Sequence, residues 1–194
     1  CLVNNPLISI CIPTFNQENY ISETLESILA QETTVSYEII IADDCSSDNT
    51  AKICKEYQQK FPDKIKFISN DQNQGLLTNL FDTLFSNVRG KYIAICAGDD
   101  VWINTRKIDI QFNVLNNDNN ISAVHTGYNK FYEISNTLKP INSWISPLKK
   151  KQGKKGIKEI ILENFSSFPV ASSMMFRKST LDKHQTKYSN LIKD

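Results

Sequence analysis

Glycine is scarce in this chain, six in 194 residues, and no apolar run that reads as a strand is followed by a glycine-rich turn. That absence removes the fingerprint of a nicotinamide-dependent dehydrogenase, whose glycines let the backbone approach a pyrophosphate. Long apolar runs are missing too. No stretch approaches the roughly 20 residues that span a bilayer, and no signal-peptide pattern opens the chain, which predicts a cytoplasmic protein. The five cysteines, at 1, 11, 45, 54 and 96, have neither an even count nor a metal-ligand spacing, so a reducing compartment is expected. Cys1 stands where an initiating Met would, which predicts an excerpt of a longer chain.

What is present is a regular alternation of short apolar runs and amphipathic stretches. Runs at 7–12, 38–42, 65–68 and 92–96 are brief and rich in β-branched residues, so they read as buried strands. Between them, Ile21, Leu25, Ile28 and Leu29 share one face of a helix ending near Gln31. A second helix, 49–61, buries Ile53, Cys54 and Tyr57, and Leu77, Leu80, Phe81, Leu84 and Phe85 define a third. Beyond residue 100 the pattern loosens to a helix marked by Ile108, Phe112 and Leu115 and strands at 123–131 and 171–176. The fold class is therefore α/β, a mostly parallel sheet with helices on both faces, in one domain over 1–194. Cys11 and Cys96 lie inside strands and behave as small buried hydrophobes.

Acidic pairs sit where two of these strands end. Gly98-Asp99-Asp100 follows the run at 92–96, and Asp43-Asp44 follows the run at 38–42 and opens the turn Cys45-Ser46-Ser47-Asp48. Open α/β sheets bind ligands at the carboxyl ends of their strands. Adjacent acids repel unless a cation or solvent compensates, so a divalent metal at Asp99 and Asp100 is the first expectation. Asp43-Asp44 taken alone serves equally as a polar turn and helix cap; the two pairs together point to a site.

Charge is divided unevenly along the chain. Residues 1–100 hold seven Lys/Arg against fourteen Asp/Glu, and residues 101–194 hold fifteen against seven. The acidic half suits a metal and the basic half an anionic partner. Lysines concentrate at 149–158, a stretch with nothing to bury, which predicts a mobile loop that either contacts an anionic membrane surface or acceptor, or is merely solvated. Nothing in the pattern asks for a nucleic-acid partner.

Four motifs in order resemble a known family. Ser9 to Asn16 (SICIPTFN), Ile41 to Thr50 (IADDCSSDNT), Asn73-Gln74-Gly75 with Asn79, and Gly90-Lys91-Tyr92-Ile93 leading to Gly98-Asp99-Asp100-Val101-Trp102 look like the ordered signature of family 2 glycosyltransferases. They cover about the first 120 residues, and Ser172 to Lys178 (SSMMFRK) resembles a later segment near the acceptor site. The resemblance implies a GT-A fold, with a nucleotide-sugar-binding half over about 1–120 and an acceptor half over about 121–194. It also implies an inverting transferase that uses a nucleotide-sugar donor, usually a UDP-sugar, with Mn²⁺ or Mg²⁺, and a glycan or lipid-linked acceptor in surface polysaccharide biosynthesis.

The same resemblance assigns roles residue by residue. Pro13, Thr14, Phe15, Asp44, Asn73, Gly75 and Asp99 would bind the nucleotide, with Asp44 on the uracil ring and Phe15 stacked near the base. Asp99 would hold the metal with Asp100 beside it, and Asp194 would be the base that deprotonates the acceptor, with Asp182 and Glu163 the next candidates. Three positions depart from the family pattern: Ala97 for a frequent acid, Thr78 for a frequent Arg, and Cys45 for a common Gly.

Other readings stay open on the residues alone. A sugar-nucleotide nucleotidyltransferase shares a related fold, but its glycine-rich, basic phosphate loop after the first strand is absent. A non-catalytic sugar-nucleotide or glycan-binding domain is the third class. Trp102 is an acceptor-pocket wall or a packing anchor, and Arg177 meets a phosphate, caps a helix or forms an ion pair. His125 is more readily a core or edge residue than a ligand, and Asn79 bonds a neighbouring loop.

Overall fold

The two most apolar runs become the centre of the sheet. A computed structural model describes residues 5–132, 135, 137–140 and 171–182. In it β1, Ile8–Thr14, pairs in parallel with β2, Tyr37–Asp43, and every residue of both strands is buried. β3, Ile65–Ser69, lies parallel on the far side of β2, and β4, Tyr92–Ile95, lies parallel on the other side of β1. Successive strands thus leave β1 in both directions, which makes the carboxyl end of β1 the topological switch point where such sheets take ligands.

The second part of the chain completes this sheet. β5, Ala123–His125, and β8, Met174–Arg177, extend it to the order β3-β2-β1-β4-β8-β5, with β8 antiparallel to both neighbours. The expected single strand at 123–131 is instead broken. Thr126 N–H makes the last bond in this register, to Ser173 O at 3.1 Å, Gly127 offers no side chain to pack, and β6, Asn129–Tyr132, pairs with β7, Thr137–Pro140, in a separate two-stranded sheet. The expected strand at 171–176 is also shorter, because Ala171–Ser173 form a 3-10 turn.

Apolar layers cover both faces. Ile8, Ile10, Ile12, Ile39 and Ile41 point to one side, where α1, Ile21–Leu29, α2, Thr50–Lys60, and α4, Lys107–Asn117, contribute Leu25, Ile28, Cys54, Ile108 and Leu115. Cys11, Ile40, Ala42, Ile93 and Ile95 point to the other side, against Leu80, Leu84, Phe85 and Phe176. This is the period-2 alternation of a sheet buried on both faces. Arg177 caps α4: its guanidinium donates to the carbonyls of Leu115, Asp118 and Ile121 and lies over the Tyr92 ring. Of its three expected partners the helix cap is the one found.

The third helix departs from regular geometry. It starts as one α-turn, α3, Leu76–Thr78, widens to a π-helix over Asn79–Leu84 and tightens to a 3-10 turn over Phe85–Asn87. An i→i+5 spacing brings residues five apart onto one face, so Asn79 with Leu84, and Leu80 with Phe85, turn into the sheet together. Asn79, 1% exposed, thereby donates to Ala42 O at 2.9 Å.

At the opposite end of the strands a buried acid ties the centre together. Glu38, 1% exposed, accepts Ser9 Oγ–H at 2.7 Å and Arg89 N–H at 3.0 Å on one oxygen, and Arg89 Nε–H at 2.8 Å on the other. Gly90 packs so tightly here that a Cβ would lie 2.5 Å from Ser9 N.

Candidate active site

The last two carbonyls of β1 hold the two acidic loops. Thr14 O accepts Asp44 N–H at 3.0 Å on the β2 side, and Pro13 O accepts Gly98 N–H at 3.2 Å on the β4 side. Proline is tolerated in this central strand because the β1–β4 ladder has already ended at Cys11 and Ile95. A Cβ on Gly98 would meet Thr14 Oγ1 at 2.8 Å and the Gln17 amide oxygen, so only glycine lets this loop approach.

Each acid has a different setting. Asp43 is turned back into its own loop, accepting the N–H and hydroxyl of Ser46. Asp44, 3% exposed, accepts Asn70 Nδ2–H at 3.0 Å and Gln74 N–H at 2.9 Å on Oδ1, and Gly75 N–H at 2.8 Å on Oδ2. Gly75 presents that N–H from φ +83°, a left-handed backbone that favours glycine, and Asn73 Oδ1 accepts the same N–H at 3.0 Å. Asp48 accepts Thr50 N–H at 2.9 Å at the start of α2 and Glu18 N–H at 3.1 Å.

These contacts stitch the loop after β1 to the loop after β2. Asn16 N–H donates to Ser46 Oγ at 2.8 Å, Gln17 N–H to Thr50 Oγ1 at 2.7 Å, and Asn49 N–H to Glu18 Oε2 at 2.8 Å. Phe15, at the root of the stitched loops, stays 44% exposed. Cys45 sits among them at φ +63°, where an L-residue is strained. Cys45→Gly is expected to stabilise the protein by about 0.5–1 kcal/mol, the strain relieved less the extra chain entropy of glycine. Urea denaturation checks this, and a loss of stability would mean that the thiol contact to Asp71 O outweighs the strain.

The loop after β4 leaves Asp99 exposed, and no described side chain bonds to it. Asp100 is half-buried and accepts the hydroxyl of Ser172, whose oxygen also accepts Ala97 N–H at 2.8 Å. Burial pushes the Asp100 carboxyl above the usual range; the Ser172 bond opposes this and the neighbouring Asp99 charge adds to it. The donor set fits a hard cation that takes one or two carboxylates and completes its shell with phosphate oxygens and water. Among the described residues no group of three or more His, Cys, Asp and Glu stands ready to hold a metal unaided.

The 3-10 turn carrying Ser172 is fixed from α4 and its approach. Trp102, 6% exposed, donates Nε1–H to Ser172 O at 3.1 Å, and Gln111 donates Nε2–H to Ser173 O at 2.7 Å. Trp102 is thus a packing anchor. Lys107 lies over its ring at 4.1 Å and donates to Gln111 Oε1 at 2.6 Å; burial pushes its ammonium down to about 8. His125 is exposed on the edge strand β5. Asp194, Glu163 and the lysines at 149–158 lie outside the described residues, as does the side chain of Asp182.

The sheet order, the switch point and the two acidic loops on β1 are those of a GT-A fold, and the comparisons agree. The family model "Glycosyl transferase family 2" matches residues 9–184. The chain belongs to that family. An Escherichia coli relative, a UDP-Glc:α-D-GlcNAc-diphosphoundecaprenol β-1,3-glucosyltransferase, is 32% identical over 143 residues, 74% of this chain and 52% of that protein. Staphylococcus aureus TarS, solved with UDP, superposes with a TM-score of 0.61 at 19% identity over 92% of this chain and 48% of that one. The Pyrobaculum calidifontis mannosyltransferase, solved with GDP-mannose and Mn²⁺, gives 0.57 at 21% identity over 63% of this chain and 35% of that one. The chain spans between 31% and 52% of the length of such curated relatives.

Of the residues expected at the site, Pro13, Thr14, Asp44, Asn73 and Gly75 join through backbone and carboxylate bonds, and Gly98 brings Asp99 and Asp100 to the same end of β1. Sequence reasoning missed Asn70, Gln17 and the Ser172 contact. Asn70 follows β3, so the rule that strand ends carry the site could have found it; an uncharged amide in a polar loop reads first as a turn former.

Proposed function

We propose that this chain transfers a sugar from a UDP-sugar to a hydroxyl of a glycan or lipid-linked acceptor, inverting the anomeric centre, in surface polysaccharide biosynthesis. The observation that carries the reading is the setting of Asp44. Three donors converge on its carboxylate and leave one acceptor position on Oδ2. That single position suits the imide N–H of uracil, and Phe15 supplies an exposed ring beside the same loop.

Asp99, with Asp100 beside it, would hold Mn²⁺ or Mg²⁺, which when bound neutralises charge on the departing diphosphate. The acceptor oxygen attacks the anomeric carbon as the bond to the diphosphate oxygen breaks, and the acceptor proton passes to a carboxylate base, for which Asp194 is the proposed residue. Uridine diphosphate leaves. The Ser172 bond holds Asp100 in place, and no described side chain bonds to Asp99. Contact of the 149–158 lysines with an anionic membrane surface would bring a lipid-linked acceptor within reach.

Release of uridine diphosphate from a panel of UDP-sugars tests the reaction, with pyrophosphate release instead indicating nucleotidyl transfer. Asp44→Ala is expected to weaken UDP by about 1–3 kcal/mol and to reduce discrimination among bases, read by calorimetry. Tighter binding of GDP than of UDP by the wild-type protein would overturn the uracil reading.

A further inference from the structure

We propose that Asn70 is a specificity-determining residue: by filling one oxygen of Asp44 it makes that carboxylate a reader of a single N–H, which favours uracil over guanine. The inference rests on Asp44 facing the base, as proposed above.

The position of Asn70 is set by its surroundings. Its N–H donates to Asp43 O at 2.9 Å, one rung beyond the β2–β3 ladder, which fixes its backbone. Its side-chain amide then uses both hydrogens, one to Asp44 Oδ1 at 3.0 Å and one to Asn79 Oδ1 at 3.1 Å. Its own oxygen accepts the Thr83 hydroxyl at 3.3 Å. Asn79 is anchored in turn on Ala42 O, so the amide cannot rotate. A flipped amide would also set its oxygen against a carboxylate. The π-helix that holds both Asn79 and Thr83 is therefore what orients Asn70.

A carboxylate has about four acceptor positions, two on each oxygen. On Oδ1 the amide of Asn70 and the N–H of Gln74 fill both, and on Oδ2 the N–H of Gly75 fills one. Uracil offers one imide N–H between two carbonyls and needs only the remaining position. Guanine offers two parallel donors, N1–H and the exocyclic amine, which match both oxygens of an unencumbered carboxylate. Against Asp44 as it stands, the second guanine donor would be desolvated with nothing to bond, a costly arrangement. Cytosine presents a lone pair at N3 and is rejected whether or not Asn70 is present.

Calorimetric titration of UDP, GDP and CDP with Mg²⁺ into wild type, Asn70→Ala and Asn70→Ser tests this. Both side chains are too short to reach Asp44 or to fill the position vacated on Oδ1, so either variant that folds gives the reading. The wild type should prefer UDP. In the variants the UDP-to-GDP affinity ratio should fall about tenfold, the worth of one charge-assisted hydrogen bond, while CDP stays weakest. Equal weakening of UDP and GDP would reduce Asn70 to a structural part and overturn the proposal. A wild type that prefers GDP, or an Asp44→Ala variant with unaltered base preference, would instead overturn the uracil reading beneath it.

Discussion

Asp99→Asn is expected to lower sugar transfer by about a thousandfold, roughly 4 kcal/mol of transition-state stabilisation, because among the described residues Asp99 is the acid left free to hold a cation at the diphosphate. Asp100 cannot take over. One of its oxygens is committed to Ser172, and burial disfavours its ionised form. The substitution should leave the metal-free melting temperature unchanged, since Asp99 is exposed and no described side chain bonds to it. It should abolish the extra stabilisation that UDP gains from Mn²⁺, because a ligand raises stability only as far as it binds the native state. Turnover together with thermal shifts with and without Mn²⁺ decide the matter. Unchanged metal-dependent UDP affinity in the variant would take the metal role away from Asp99.

The central sheet was legible because β1, β2 and β4 are buried on both faces and so read as continuous apolar runs. The two acidic loops were legible for a related reason: where such a run stops at an acid, the acid lies at the carboxyl end of a strand. Local pattern could not show how those loops meet. The bonds from Thr14 O to Asp44 and from Pro13 O to Gly98 join residues 30 and 85 positions apart, and follow only once β2 and β4 are known to flank β1. Ser172 stands 72 residues from Asp100, beyond a stretch whose pattern gives no register.

Elsewhere the periodicity misled. Leu77, Leu80, Phe81, Leu84 and Phe85 fit an α-helix, yet burying Asn79 together with the apolar residues around it needs the wider π spacing. Apolar content at 123–131 suggested one strand, but the in-register pairing ends with the bond from Thr126 to Ser173 and the chain leaves the sheet at Gly127. At Asn79 a long-range polar contact outweighs the local hydrophobic pattern. The contact at Asn79 supports the loop that carries Asp44, so the misread helix is also the one that shapes the proposed base site.

Arg89→Met should cost about 3 kcal/mol of stability by leaving Glu38, 1% exposed, without its counter-charge in the centre of the sheet. The value sits at the low end of the range for a broken buried pair because the Arg89 side chain is 42% exposed, so water can reach part of the gap. Ser9 Oγ–H and the Arg89 backbone N–H still serve one carboxylate oxygen; the other loses the guanidinium donors. For a chain of this size the melting temperature should drop by about 6–12 °C. Glu38, Ser9 and Arg89 pin β1, β2 and the entry to β4 at their amino ends, while the proposed site hangs from their carboxyl ends. Base preference should therefore survive the change at temperatures where the protein stays folded. A melting temperature within about 2 °C of wild type would show that Ser9 and water satisfy Glu38 without the arginine. An altered UDP-to-GDP ratio in the folded variant would show that the register of the central strands reaches the nucleotide loops.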